Sequence, residues 1–300
     1  MKIDGKIAII TGAASGIGRA TAIDLAKHNC ILAINDINEE GLEKTFKEVK
    51  KYSPQSMYKI CDVTQTAQIK DFCTAVFDKY GHIDLLLNIA GIGQGGLVED
   101  STLEDVYRDN DVCFYGATRF IYEVLPIMLR QQSGAIINMS SVAAIIHAPF
   151  MSAYTSTKCA ALGYTECLYQ ELKNRNIYVC VLLPGFIKSE MWDKIDFNRL
   201  KVPENVLDQV KSLLKSSYPL MTSTEEAAAI IRKRAIEKEA PKVIVTKYLS
   251  ERVFYKICEI SPGMIRKIMS LSWSLTLRKG EVIAPFIGLF TKLIGRLVAD

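Results

Sequence analysis

The chain is poor in the residues that build metal centres and secreted scaffolds. Its three histidines, His28, His82 and His147, have no partners at metal-ligand spacing, which argues against a bound metal. Eight cysteines (30, 61, 73, 113, 159, 167, 180 and 258) contain no Cys-x-x-Cys pair, and 300 residues can bury a core without disulfide staples. A reducing cytoplasm is the expected compartment. The start, Met1-Lys2-Ile3-Asp4-Gly5, runs straight into an apolar strand, without the charged start, long apolar stretch and cleavage site of an export signal. Repeats and low-complexity linkers are absent, and 49% hydrophobic against 23% charged residues excludes a disordered chain. No basic stripe is interleaved with aromatics, which excludes a nucleic-acid groove. The net charge of +4 comes entirely from residues 251–300, where eight Lys and Arg face four Asp and Glu.

What is present is alternation. Short apolar runs at 7–10, 31–35, 56–61, 85–88, 135–139, 177–183 and 242–246 are separated by amphipathic stretches at 17–28, 39–50, 66–80, 103–131, 153–174 and 224–238. This is the pattern of a parallel sheet with helices on both faces, here an open, doubly wound, seven-stranded α/β domain over residues 1–247. Residues 186–220 break the rhythm with Phe186, Ile187, Met191, Trp192, Ile195, Phe197 and Leu200. Ligands of such sheets bind beyond the carboxyl ends of the strands, so this insertion is placed to act as a substrate lid; a surface helix pair packed on the core is the alternative.

Residues 248–300 form a helical C-terminal extension. Its segment 282–299 is apolar apart from Thr291, Lys292 and Arg296, and upstream Arg266, Lys267, Arg278 and Lys279 flank Ile265, Ile268, Met269, Leu271 and Trp273. Cations bordering apolar clusters suit peripheral contact with the cytoplasmic face of a membrane. Packing on the core or on a second subunit is the other reading. A transmembrane span is disfavoured, because only 18 residues are available and two cations interrupt them.

The chemistry concentrates at strand ends. Thr11-Gly12-Ala13-Ala14-Ser15-Gly16-Ile17-Gly18 follows an apolar strand and opens a helix, where glycines permit a tight turn and amides at the helix N-terminus face a pyrophosphate. It lacks the lysine of an ATPase phosphate loop. Asp36 ends the second strand, where a carboxylate accepts both hydroxyls of an adenosine ribose and repels a 2′-phosphate; Ser15, Ile37 and Asn38 supply no cation to offset this, so NAD is favoured over NADP. An N-cap role for Asp36 is the competing reading. Asp62-Val63 closes the third strand, where Asp62 can meet an adenine amino group. Asn88-Ile89-Ala90-Gly91 and Ser140-Ser141 end the fourth and fifth. Tyr154 and Lys158, four apart in YTSTK, share a helix face, so the ammonium can stabilise a phenolate and make the phenol an acid or a base. Ser141 can donate to a carbonyl oxygen held against that acid.

In this order TGAASGIG, Asp36, NIAG, Ser141, YTSTK and PGFIKS resemble the classical short-chain dehydrogenase/reductase family over roughly residues 5–247. The resemblance implies a Rossmann-type fold and a nicotinamide-dependent oxidoreductase, with Tyr154 as general acid/base, Lys158 on the nicotinamide ribose and Ser141 on the substrate oxygen. It further implies that Gly12, Ser15, Gly16, Ile17, Gly18, Asp36, Asp62, Val63, Asn88, Ala90 and Gly91 line the dinucleotide. Pro184, Gly185, Ile187 and Ser189 would meet its nicotinamide side. The family's catalytic asparagine, three residues before a helix glycine matched by Gly116, falls on Cys113. A thiol is a far weaker hydrogen-bond partner, which implies a slower proton relay or one rebuilt through backbone carbonyls and water; Asn110, one turn earlier, is the nearest substitute. The apolar insertion and tail, with Phe150 and Met151 before the catalytic helix, favour a lipophilic alcohol or carbonyl, such as a steroid, retinoid, sphingoid or acyl chain. A non-catalytic dinucleotide sensor is the rival from another class. The resemblance also implies that the long helices near 103–131 and 153–174 pair across a two-fold axis, as in the family, so a homodimer or homotetramer is expected.

Overall fold

The computed structural model describes residues 1–93, 95–190, 208, 212, 216, 218–263 and 266–270. Most of the insertion at 186–220, and residues 271–300 of the extension, lie outside the described residues.

Ile7–Thr11 reads IAIIT and is buried along its whole length. Such a strand belongs in the middle of a sheet, and this one, β1, pairs in parallel with both β2 (Ile31–Asp36) and β4 (Leu85–Asn88). With β3 (Met57–Ile60), β5 (Gly134–Met139), β6 (Ile177–Pro184) and β9 (Lys242–Val245), they form the expected seven-stranded parallel sheet, ordered β3-β2-β1-β4-β5-β6-β9. The chain steps outward from β1 to β3 and then returns to the other side of β1 at β4. The crevice of the fold therefore opens between the carboxyl ends of β1 and β4.

Alternate residues of each strand enter different cores. Ala8, Ile10, Leu32, Ile34 and Leu87 pack with Leu25 of α1 (Gly16–Lys27), Leu42 of α2 (Glu39–Lys50) and Ala227 of α7 (Thr224–Ile230). Ile7, Ile9, Ala33, Leu86 and Ile136 pack with Phe72 of α3 (Thr66–Tyr80), Phe120 of α5 (Gly116–Gln131) and Leu168 of α6 (Ser152–Leu172). Each of the buried Leu, Ile and Phe side chains among these contributes about 1.5–3 kcal/mol.

Residues 103–131 are helical throughout but not uniform. A capping box between Thr102 and Asp105 starts α4 (Leu103–Asn110), a π-helical turn occupies Asp111–Tyr115, and α5 follows without a break. Widening the helix by one residue per turn re-aims the side chains on either side of it, and Cys113 lies in this turn. The helix is also long and apolar enough by composition to cross a membrane, but its apolar face packs in the sheet's core, as a core helix does.

Two short strands, β7 (Ile187–Lys188) and β8 (Thr222–Ser223), pair in parallel, so the insertion leaves and re-enters the fold at adjacent points. The first helix of the extension, α8 (Leu249–Ile260), buries Tyr255 and Cys258 with Ile145, Ile146, Val181, Leu183 and Ile244. That cluster covers the β6–β9 side of the sheet, so α8 is part of the α/β core.

Candidate active site

The glycine turn is built by close approach. Gly12 has φ +70°, and a Cβ there would lie 2.7 Å from the Ala90 Cα; a Cβ on Gly18 would lie 2.0 Å from the Gly12 oxygen. No larger residue fits at either position. Thr11 Oγ1 accepts the amides of Ile89 and Ala90, both at 3.0 Å, and so ties the end of β1 to the end of β4. Ser15 is the N-cap of α1 in extended conformation with no side-chain capping bond, which leaves the amides of the first turn facing the crevice. Ser189 comes within 3.8 Å of a Cβ placed on Gly16, so the segment after Pro184-Gly185 meets the glycine turn.

Asp36 holds this turn in place. Its Oδ2 accepts the Ala14 amide at 3.0 Å and its Oδ1 the Asn38 amide at 2.9 Å. The cap of α2 is Asn38, whose side chain accepts the Gly41 amide at 3.0 Å, so Asp36 has no capping role. Asp62 Oδ1 accepts both the amide and the hydroxyl of Thr64 at 2.8 Å, and Val63 packs against Gly116. Asn88 is buried, donating to Asn138 Oδ1 at 2.9 Å and to the Ala117 carbonyl at 3.3 Å; its side chain braces β4 against β5 below the crevice. Pro184 ends β6, Gly185 donates to the Val245 carbonyl at 3.2 Å, and Ile187 is buried in β7.

Tyr154 and Lys158 share the crevice face of α6, with the ammonium 5.4 Å from the phenol ring centroid. Lys158 is only 3% exposed. Burial lowers its pKa, but Cys113, Tyr154 and Asp109 outweigh this and hold it above the ordinary lysine value. Ser140 anchors α6 from below by donating to the Lys158 carbonyl at 2.7 Å. Ser141 caps a short 3-10 turn by accepting the Ala143 amide at 3.1 Å, an interaction that leaves its hydroxyl hydrogen free to donate.

Cys113 is engaged on three sides. Its Sγ accepts the Ile92 amide at 3.3 Å and donates to the Ile92 carbonyl at 3.2 Å, and it also interacts with the Lys158 side chain. A Cβ on Gly91 would stand 3.5 Å from both Cys113 Sγ and Lys158 Nζ. Lys158 further donates to the Met139 carbonyl at 3.5 Å. Asn110 is no substitute for the missing asparagine, because its amide donates to Val106 O on its own helix at 2.8 Å. The inward residue is Asp109, which sequence reading missed, although a carboxylate four residues before Cys113 on the same helix face was a usable signal. The bracing roles of Thr11, Asn138 and Ser140 were not legible either, since each bonds a residue distant in the chain. His147 lies beside Cys159, with Nε2 3.8 Å from Sγ.

A glycine-lined turn at the β1–β4 switch point, an open helix N-terminus above it and a tyrosine over a buried lysine define a dinucleotide-binding α/β enzyme. A model of the short chain dehydrogenase family matches residues 6–199. The 3-oxoacyl-(acyl-carrier-protein) reductase FabG of Thermotoga maritima is 36% identical over 195 residues, 65% of this chain and 79% of its own. FabG of Staphylococcus aureus is 34% identical over 209 residues, 68% and 82%. Among solved structures, a short chain dehydrogenase/reductase from Burkholderia phymatum in complex with NAD superimposes with TM-score 0.77 at 25% identity, covering 88% of this chain and 96% of that one. Levodione reductase gives TM-score 0.69 at 25% identity, covering 81% and 97%.

The chain belongs to the short-chain dehydrogenase/reductase family. It is an oxidoreductase of the kind that uses NAD or NADP on a small molecule.

Proposed function

We propose that the protein interconverts a lipophilic alcohol and its carbonyl, using NAD, with Tyr154 as the general acid/base. The observation that carries this reading is the buried Lys158 ammonium set 5.4 Å from the Tyr154 ring at the floor of the β4–β5 strand ends. The glycine turn fits a dinucleotide: Gly12, Ser15, Gly16, Ile17 and Gly18 would take its pyrophosphate, and Asp36 its adenosine ribose. Asp62 and Val63 would border the adenine, while Asn88, Ala90 and Gly91 would form the ledge beneath. Lys158, Pro184, Gly185, Ile187 and Ser189 would hold the nicotinamide half. When bound, that group supplies or accepts a hydride. Tyr154 passes the proton to or from the substrate oxygen, Ser141 donates a hydrogen bond to the same oxygen, and Lys158 stabilises the phenolate left when the proton has gone.

NAD is supported by the Asp36 carboxylate and by its neighbours Ile37 and Asn38, which bring no cation to a 2′-phosphate. A lipophilic substrate is supported by the apolar composition of the insertion, tied at its base by β7 and β8, and by relatives named for reducing 3-oxoacyl groups. Turnover of 3-oxoacyl thioesters, long-chain ketones and sugar ketones with NADH tests the reading. Preference for the first two, abolished in Tyr154→Phe, is expected; turnover of the sugars alone sinks the lipophilic assignment.

Two surfaces bear on assembly. Leu103, Tyr107, Tyr115 and Tyr122 are exposed along α4, the π turn and α5, which supports pairing with a second copy. On α8, Leu249, Val253, Ile257 and Ile260 form an exposed apolar stripe, with Lys256 on the same helix and Arg266 and Lys267 following in sequence, which supports contact with the cytoplasmic face of a membrane. Truncation at Thr246 would strip Tyr255 from the core, so Val253→Glu with Ile257→Glu is the cleaner variant. Loss of flotation with anionic liposomes is expected from that pair; unchanged flotation removes α8 from the membrane.

A further inference from the structure

Asp109 and Cys113 lie one turn apart, and the carbonyl of Asp109 accepts the Thr157 hydroxyl at 3.4 Å, next to Lys158 on α6. The Asp109 side chain is completely buried, and neither carboxylate oxygen has a hydrogen-bond partner among the described residues. Such a carboxylate is costly unless an opposite charge answers it. The charged groups that act on it are Arg108 and Asp105 of its own helix and Lys158 of α6. Arg108 is half-exposed and reaches Asp105 at 3.5 Å. Lys158 is the buried cation, acted on in turn by Cys113, Tyr154 and Asp109, and its contact with Met139 is long at 3.5 Å.

We infer that Asp109 is the buried counter-ion of Lys158, a positioning residue that holds the ammonium in the crevice floor where the Cys113 thiol is only a weak partner. The inference rests on the reading of Tyr154 and Lys158 as the acid/base pair. Burial pushes the Asp109 carboxyl up to about 6, against the pull of Arg108 and Lys158. The counter-charge is therefore present at pH 8 and withdrawn at pH 5.

A double-mutant cycle in unfolding by urea tests the pairing without any substrate. Asp109→Asn is compared in the wild-type and Lys158→Met backgrounds, with Lys158→Gln in place of Met should that variant not fold. At pH 8 the stabilisation by Asp109→Asn is expected to be about tenfold larger in the folding equilibrium constant once Lys158 is gone, and this excess disappears at pH 5. Additive effects at pH 8 overturn the inference.

Turnover of acetoacetyl-coenzyme A with NADH supplies the second readout. The wild type is expected to lose turnover as pH falls through about 6, whereas Asp109→Asn is flat there with kcat about tenfold lower at pH 8 and KM unchanged, and Asp109→Glu restores the inflection. Identical profiles for wild type and Asp109→Asn also overturn it. Tyr154→Phe run alongside separates the two levels: turnover retained there sinks the acid/base reading itself, while an inactive Tyr154→Phe with an additive Asp109–Lys158 cycle sinks only the counter-ion.

Discussion

The Asp36 carboxylate accepts the Ala14 amide at 3.0 Å, so one side chain shapes the glycine turn while standing at the end of β2. Its two oxygens keep further lone pairs for a ribose beyond the backbone amides of Ala14 and Asn38. Asp36→Ala is therefore expected to weaken NADH binding by about tenfold or more, to narrow the preference over NADPH, and to cost about 1–2 kcal/mol of stability through the lost amide bonds. Fluorescence titrations with both cofactors and urea melts read these effects. An unchanged NADH-to-NADPH affinity ratio would remove Asp36 as the selector.

Gly18→Ala places a Cβ 2.0 Å from the Gly12 oxygen, a contact only backbone movement can relieve. NADH binding should be lost or the fold destabilised by about 3 kcal/mol or more. Gly163, by contrast, is exposed inside α6 with nothing within 4 Å of its Cβ position. Gly163→Ala should raise stability by about 0.5–1 kcal/mol. Paired thermal melts decide both, and a destabilised Gly163→Ala would mean that this face is covered in the assembled protein.

Cys113→Asn replaces a thiol that bonds both backbone groups of Ile92 by an amide that offers a stronger acceptor and two N–H donors. Higher turnover or a shifted pH optimum is expected, because the amide is the stronger partner for Lys158. If steady-state rates across pH stay as in the wild type, the thiol does not limit the relay.

Asp109 also predicts how stability depends on pH. Its folded value of about 6 lies above the ordinary 3.8, so the folded state holds the proton more tightly than the unfolded chain. The resulting stabilisation is complete below about pH 4, declines as pH rises through about 6, and is on the order of 3 kcal/mol in all. Asp109→Asn should abolish this slope and melt higher than the wild type at pH 8. A wild-type curve without that decline, traced by urea unfolding from pH 4 to pH 8, would contradict a carboxylate whose burial outweighs the pull of Arg108 and Lys158.

Much of the site was legible because its parts are local. TGAASGIG needs only a strand, a turn and a helix in succession, and Tyr154 and Lys158 meet because residues four apart share a helix face. The uniform helix expected over 103–131 hid a π turn, since one extra residue per turn barely disturbs an apolar period over so long a segment. That turn decides what points inward around Cys113: Asp109 lies buried on the face that meets α6, while Asn110 bonds back along its own helix. Spacing alone could not choose between the neighbours.

The amino-acid order by itself determined the doubly wound sheet, because fully apolar strands must be covered on both faces, and it determined the glycine turn and the Tyr154–Lys158 face, because helix and turn geometry act within a few residues. Only the tertiary structure decided that Thr11 clasps β4, that Asn88 leans on Asn138, that α8 joins the core through Tyr255, and that the Asp109 carboxylate is buried against α6 with no hydrogen-bond partner among the described residues. Each of these joins residues distant in the chain, and burial and charge pairing are properties of the packed neighbourhood that no local period carries.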